Sequence, residues 1–105
     1  MDTIENHTEE LHTKLNRETA KIAWKELQRF FASGAVLKVS SDLDLVDVGF
    51  QMSEDNADQI RQWMLAGKLG RVSDEQAAEW LAGDELVWGV VVSPWLLVQS
   101  SVNLH

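Results

Sequence analysis

The stretch ELVWGVVVSPWLLVQSSVNLH, residues 85–105, has no formally charged residue after Glu85, in a 105-residue chain with 17 acidic and 9 basic side chains. Its apolar run, Leu86 to Val98, is 13 residues long, short of the roughly 20 needed to cross a bilayer. It also contains Gly89, Ser93 and Pro94, so a membrane span is rejected. LVWGVVV, 86–92, is apolar at successive positions, as in a strand covered on both faces. Pro94 has no amide hydrogen and must sit at a break, bulge or edge. WLLVQ, 95–99, is therefore expected as a further strand bent away after the proline. An uncharged strand edge invites pairing with another chain unless it is covered, which makes this strand a candidate interface. Trp95 stays open between core and surface.

Outward from that run, helix grammar dominates. SDEQAAEWLAGD, 73–84, predicts a helix with Ser73 and Gln76 as a capping box, Trp80 and Leu81 inward and Gly83 as the stop. SEDNADQIRQWMLAGK, 53–68, predicts another, with Ser53 as N-cap, Ile60, Trp63 and Met64 inward and Gly67 as the stop, followed by a short extended piece, LGRV. NRETAKIAWKELQRFFASG, 16–34, predicts a third from Asn16 to a Gly34 stop, its apolar face set by Ala20, Ala23, Leu27, Phe30 and Phe31 at steps of three and four. AVLKV (35–39) and LVDVGFQM (45–52) read as strands. The second alternates Val46, Val48, Phe50 and Met52 with polar or small residues, and SSDLD between the two suggests an antiparallel hairpin. The expected order is α-β-β-α-β-α-β: an α+β fold in a single small domain, with a mostly antiparallel sheet packed by three helices. A flexible polar N-terminal arm is expected at 1–13, the domain at 14–99 and a C-terminal tail at 100–105.

Composition limits the function. A chain of this length forms one modest core without staples, and 45% hydrophobic with 25% charged residues is ordinary for a globular domain. With no cysteine there is no disulfide and no thiolate chemistry. The start, MDTIENHTEELHTKLN, lacks the basic and apolar regions of a signal peptide, and a cytoplasmic setting is expected. The net charge of −8 argues against nucleic acid as a partner.

Two segments, ETAKIAWKELQRFFASGAVLKVSSDLDLVDVG and LVWGVVVSPWLLVQ, resemble a small family of bacterial proteins of about this length, catalogued as a conserved domain of unknown function. The likeness runs from Asn16 to Gln99 and is carried by ETAKIAWKEL, LDLV and VVVSPWLLVQ in that order. It implies a bacterial, cytosolic origin and supplies no activity, cofactor or site residue.

Catalytic groups are scarce. There is no Tyr, and the histidines are His7, His12 and His105, all near the termini. HTEELH places His7 and His12 five residues apart, about 140° around a helix, so they do not share a metal easily. Asp42, Asp44 and Asp47 lack the glycine and terminal acid of an EF-hand loop and read as turn residues. No glycine-rich phosphate loop is present. No catalytic, cofactor or metal residue is assigned, and an enzyme is disfavoured.

Two features point to binding. Lys14, Arg17, Lys21, Lys25 and Arg29 follow at steps of three and four, giving residues 14–29 a net charge of +3 against −11 for the remainder. On one helix this is a stripe suited to an acidic protein surface or a second copy of the chain. Five tryptophans stand without a tyrosine. Trp24, Trp63 and Trp80 suit helix core faces, whereas Trp88, Pro94 and Trp95 are a candidate pocket or interface. The leading expectation is a noncatalytic protein-interaction module, self-associating as a homodimer. The alternative is a small-ligand binder or carboxylate-based enzyme with a Trp-lined pocket near Trp88 and Trp95, and Asp42 or Asp44 at its mouth.

Overall fold

The uncharged run forms the two longest strands, and the second of them fills the middle of the sheet. The computed structural model describes residues 3–101. In chain order it contains α1 (Thr3–Glu18), β1 (Ala20–Ala23), a 3-10 turn (Trp24–Leu27), α2 (Gln28–Ala32), β2 (Val36–Val39), α3 (Leu45–Ser53), α4 (Ala57–Leu65), β3 (Leu69–Arg71), α5 (Asp74–Ala82), β4 (Leu86–Val92) and β5 (Trp95–Ser100). The strand order is β1-β4-β5-β2-β3. β2 runs parallel to β5, and the other three pairings are antiparallel. The fold is α+β, as expected, with five α-helices among the described residues rather than three. No helix among them is long and apolar enough to cross a membrane.

Helices cover both faces of the sheet, which explains the missing charges. Because side chains alternate along a strand, Val36, Val87, Leu96 and Val98 enter one core with Trp24, Leu27, Ala77 and Trp80. Leu37, Val39, Val90 and Leu97 enter the other with Leu15, Leu45, Val48 and Leu69. A charge at Leu96, Leu97 or Val98 would be stranded in one core or the other, and each apolar side chain buried there contributes about 1.5–3 kcal/mol. Ser93 and Pro94 form the turn between β4 and β5, which are paired from Val92 with Trp95 to Val87 with Ser100.

Several expectations need correction. The helix expected over 16–34 is instead the end of α1, then β1, the 3-10 turn and α2. The Thr19 hydroxyl donates to the Leu15 carbonyl at 2.7 Å where α1 ends. The chain then pairs with β4 from Ala20 with Gly89 to Ala23 with Leu86. Trp24 N–H donates to the Glu85 carbonyl at 2.9 Å, and the Trp24 side chain is fully buried. This ladder and anchor outweigh the local helical preference, a few tenths of a kcal/mol per residue. Gly34, with φ of 77°, does stop the helix as anticipated.

The strand expected at 45–52 is α3. Asp44 caps it by accepting from Val46 N–H at 2.9 Å, and its inward set is Leu45, Val48 and Gly49, the i, i+3, i+4 spacing of a helix. The anticipated hairpin therefore does not form; β2 pairs with β3 and β5. Finally, residues 3–13, expected within a polar arm, belong to α1, held by buried Leu15 and partly buried Leu11 on the second core. Ser53, expected as an N-cap, ends α3, and the N-cap position of α4 is held by Asn56, whose side chain donates to Gln51 rather than capping the helix. The tail expected from residue 100 starts within β5, and residues 102–105, His105 included, lie outside the described residues.

Candidate functional site

On β2 the side chains of Val36 and Lys38 alternate with those of Leu37 and Val39, so Lys38 takes a position on a face otherwise built from Val, Leu and Trp. It is half-buried. Its ammonium donates to Gln76 Oε1 at 2.7 Å and lies 5.7 Å from the centre of the Trp80 ring. Gln76 and Trp80 are one turn apart on α5, whose start is fixed by Ser73 accepting from Gln76 N–H at 3.0 Å. Trp80 is held in turn by an edge contact with Trp24 at 5.0 Å.

A void lies beside this lysine because its neighbour across the ladder is Gly70. A Cβ built there would meet nothing within 4 Å. The result is a cleft of about 700 Å³ at the β2–β3 edge, within the usual range for small-molecule sites. Lys38, Lys68 and Arg71 line it on the sheet side, with Ser40 and Ser41 at the end of β2 and Gln76, Glu79 and Trp80 from α5. Glu85 also lines it, immediately before β4.

The loop after β2 is firmly tied. Gln99 donates through Nε2 to the carbonyls of Ser40 at 2.8 Å and Leu43 at 2.7 Å. Lys68 Nζ donates to Asp42 at 2.6 Å, and the Ser40 hydroxyl donates to the same carboxylate. The Lys68 hydrogen bond, then that of Ser40, holds the Asp42 carboxyl below the ordinary aspartate range. Arg71 lies over Gly34, where an added Cβ would stand 3.3 Å from a guanidinium nitrogen.

The electrostatic pattern is specific. Of the four basic residues outside 14–29, three line this one cleft. Among the described residues, Lys38 has no carboxylate within 4.0 Å, and the Arg71 side chain makes neither an ion pair nor a hydrogen bond. Glu79 and Glu85 likewise have no ion-pair partner among the described residues.

The residues singled out in the sequence lie elsewhere. Lys14 and Arg17 are on α1, Lys21 on β1, Lys25 in the 3-10 turn and Arg29 on α2, so the single-helix stripe does not exist. Lys21 stands 5.1 Å from the centre of the Trp88 ring, and Lys25 pairs with Asp84 at 3.7 Å. Pro94 and Trp95 share a hollow of about 220 Å³ with Met52, Asp55, Ile60 and Val92. Trp88 is not part of it, lying four residues along β4 from Val92, the register partner of Trp95. Asp42 does not line the Lys38 cleft and meets it only through its contact with Lys68, and Asp44 is the cap of α3. His7 contacts Glu54 at 3.2 Å, and His12 stacks on Phe50 at 4.2 Å. No group of three His, Cys, Asp or Glu residues suited to a metal occurs among the described residues. Sequence reasoning missed Lys38, Lys68 and Arg71. The available signal was Lys38 itself, a lysine within a valine-rich strand.

Comparison with known proteins gives the relationship. The chain is similar to the protein in the NMR solution structure of PA1075 from Pseudomonas aeruginosa, with a TM-score of 0.78 and 41% identity over 90% of this chain and 91% of that one. No curated protein matches it. A family model described as "Protein of unknown function (DUF2288)" matches residues 10–100. That span takes in the two central strands and all the charged side chains of the cleft, and the chain belongs to the DUF2288 family.

Proposed function

We propose that this protein is a noncatalytic binding module that takes the anionic group of a small molecule in the Lys38 cleft. The observation that carries this reading is a half-buried lysine with no carboxylate at ion-pair distance of its ammonium among the described residues, lining a void. Placing a charge there costs solvation that a neutral Gln76 amide offsets only in part. An incoming carboxylate or phosphate supplies the missing countercharge, with Arg71 and Lys68 at the rim as further donors. Asp42, the carboxylate tied to Lys68 at the cleft, is not disposed as a general base. Its carboxyl is held below the ordinary range by Lys68 and Ser40, the reverse of what a general base near neutral pH requires.

The test is a titration of amide NMR signals with acetate and with inorganic phosphate at constant ionic strength. Saturating shifts at Lys38, Gly70 and Gln76 are expected, and Lys38→Met, which keeps the aliphatic stem, abolishes them. Wild-type signals that do not move, or that move equally in Lys38→Met, overturn the reading.

A second reading, self-association, has one feature in its favour. β1 is an edge strand, and Leu86 and Trp88 on the adjoining β4 are exposed, at 45% and 36%. A dimer through this edge buries Leu86 and Trp88 together with Lys21, which lies over the Trp88 ring. Light-scattering mass after gel filtration at low and high salt tests it, and a monomer at both removes it.

A further inference from the structure

The cleft assigned above to an anionic group carries the opposite charge on its other wall. Glu79 lies three residues beyond Gln76 on α5, and Glu85 is half-buried just before β4; both line the same void as Lys38 and Arg71. Among the described residues, neither carboxylate makes an ion pair or a side-chain hydrogen bond. Arg71 is equally unengaged, and Lys38 meets only the neutral Gln76. Among the charged residues that line the cavity, Lys68 is paired with Asp42, whereas Lys38, Arg71, Glu79 and Glu85 do not approach within 4.0 Å of an opposite charge among the described residues. Side chains with stems this long normally close such a gap at the surface, where exposed pairs form at little cost.

The arrangement sets limits on the occupant. A simple anion neutralises the strand wall but meets Glu79 and Glu85, and like charges brought together in a recess are costly. A neutral molecule leaves both walls uncompensated. We infer that the ligand is zwitterionic, an amino-acid-like small molecule with its anionic group on Lys38 and its ammonium on Glu79 and Glu85. This rests on the anion-binding reading above and adds the second pole to it.

The test compares ω-amino acids with the matching carboxylates that lack the amine: glycine with acetate, 4-aminobutyrate with butyrate, and 6-aminohexanoate with hexanoate. Each is titrated into the full chain and followed by the amide signals of Lys38, Gly70 and Glu79. At one chain length the amino acid binds about tenfold tighter than its carboxylate, the scale of one well-placed charge contact. That length measures the distance between the walls. In the double variant Glu79→Gln, Glu85→Gln the advantage disappears while the carboxylate binds as well as before or better. If the carboxylates bind as tightly as the amino acids at every length, the zwitterion inference is overturned and the anion site stands. If neither the six probes nor phosphate shift Lys38, both fall.

Discussion

The two edges of the sheet are built from short strands and finish in opposite ways. At one edge, β1 lays Lys21 over the exposed ring of Trp88, so a charge shields an aromatic surface and no recess forms. At the other, β3 places Gly70 beside Lys38, and the missing side chain leaves a cavity walled by charges. The neighbour across the ladder decides which lysine is a cover and which is a candidate ligand contact. Basic residues are more numerous on the β1 side of the chain, yet the void is at β3. Count of charge is therefore a poorer guide to a site than the space left next to a charge.

This contrast can be broken at several points. The largest effect is expected at the anchor of the closed side. Trp24 is fully buried and donates through Nε1 to the Ala77 carbonyl at 3.1 Å. Trp24→Ala should destabilise the fold by about 3–5 kcal/mol, read as a lower urea midpoint. A loss under about 1 kcal/mol would show that the first core can collapse around the gap. Next is Gly70→Val, which fills the recess with a residue suited to a strand. The prediction is a gain of up to about 1 kcal/mol in stability together with loss of acetate and phosphate binding. Retained binding would put the ligand elsewhere.

A smaller effect, and one of opposite sign, is expected at Asp42. Its carboxylate occupies Lys68, so Asp42→Asn should free that ammonium and tighten anion binding by a few-fold, measured by the same titration. The pH dependence follows from the direction of its shift. A carboxyl with a lowered folded pKa contributes stability that is present above the ordinary aspartate value and is lost as pH falls through the folded value. Acidification should therefore release Lys68 below the range where an unpaired aspartate titrates, followed by the Asp42 carboxyl carbon shift. Titration at the ordinary aspartate value would contradict the contact. The smallest effect belongs to Lys21→Ala, about 0.5–1 kcal/mol at an exposed cation–aromatic contact. Altered Trp88 fluorescence with unchanged ligand binding would keep the two edges independent.

Legibility in the sequence followed how locally each element is determined. The 73–84 segment states its own cap and stop, and residues 74–82 are a helix, with Trp80 buried as expected but Leu81, also expected inward, exposed and Ala77 buried in its place. The uncharged run states its own burial, and it forms the adjacent strands β4 and β5. Residues 20–27 do not: alanine, lysine and leucine at helical spacing are drawn into a strand and a 3-10 turn by β4, a partner more than sixty residues away. Residues 45–52 contained both periods at once. Val46, Val48 and Phe50 alternate, while Leu45, Val48 and Gly49 follow a helix, and Asp44 at the cap decided for the latter. Gly49 fits because an added Cβ would already touch Val92 at 3.4 Å and Leu15 at 3.6 Å. The cleft was not legible. Lys38, Lys68, Arg71, Glu79 and Glu85 come from β2, the segment before β3, β3 itself, α5 and the segment before β4, and no spacing rule joins them.

The position of β5 has a consequence for the order in which the molecule can assemble. Before Trp95–Ser100 is in place, β1 can join β4 and β2 can join β3, but no backbone ladder links the two pairs. The strand that unites them follows every other element among the described residues. On a ribosome, that makes the cleft a late event. The lysine, the arginine and both glutamates have all emerged, yet the wall that β2 and β3 carry is joined to the rest of the sheet only when β5 arrives and Gln99 closes on Ser40 and Leu43.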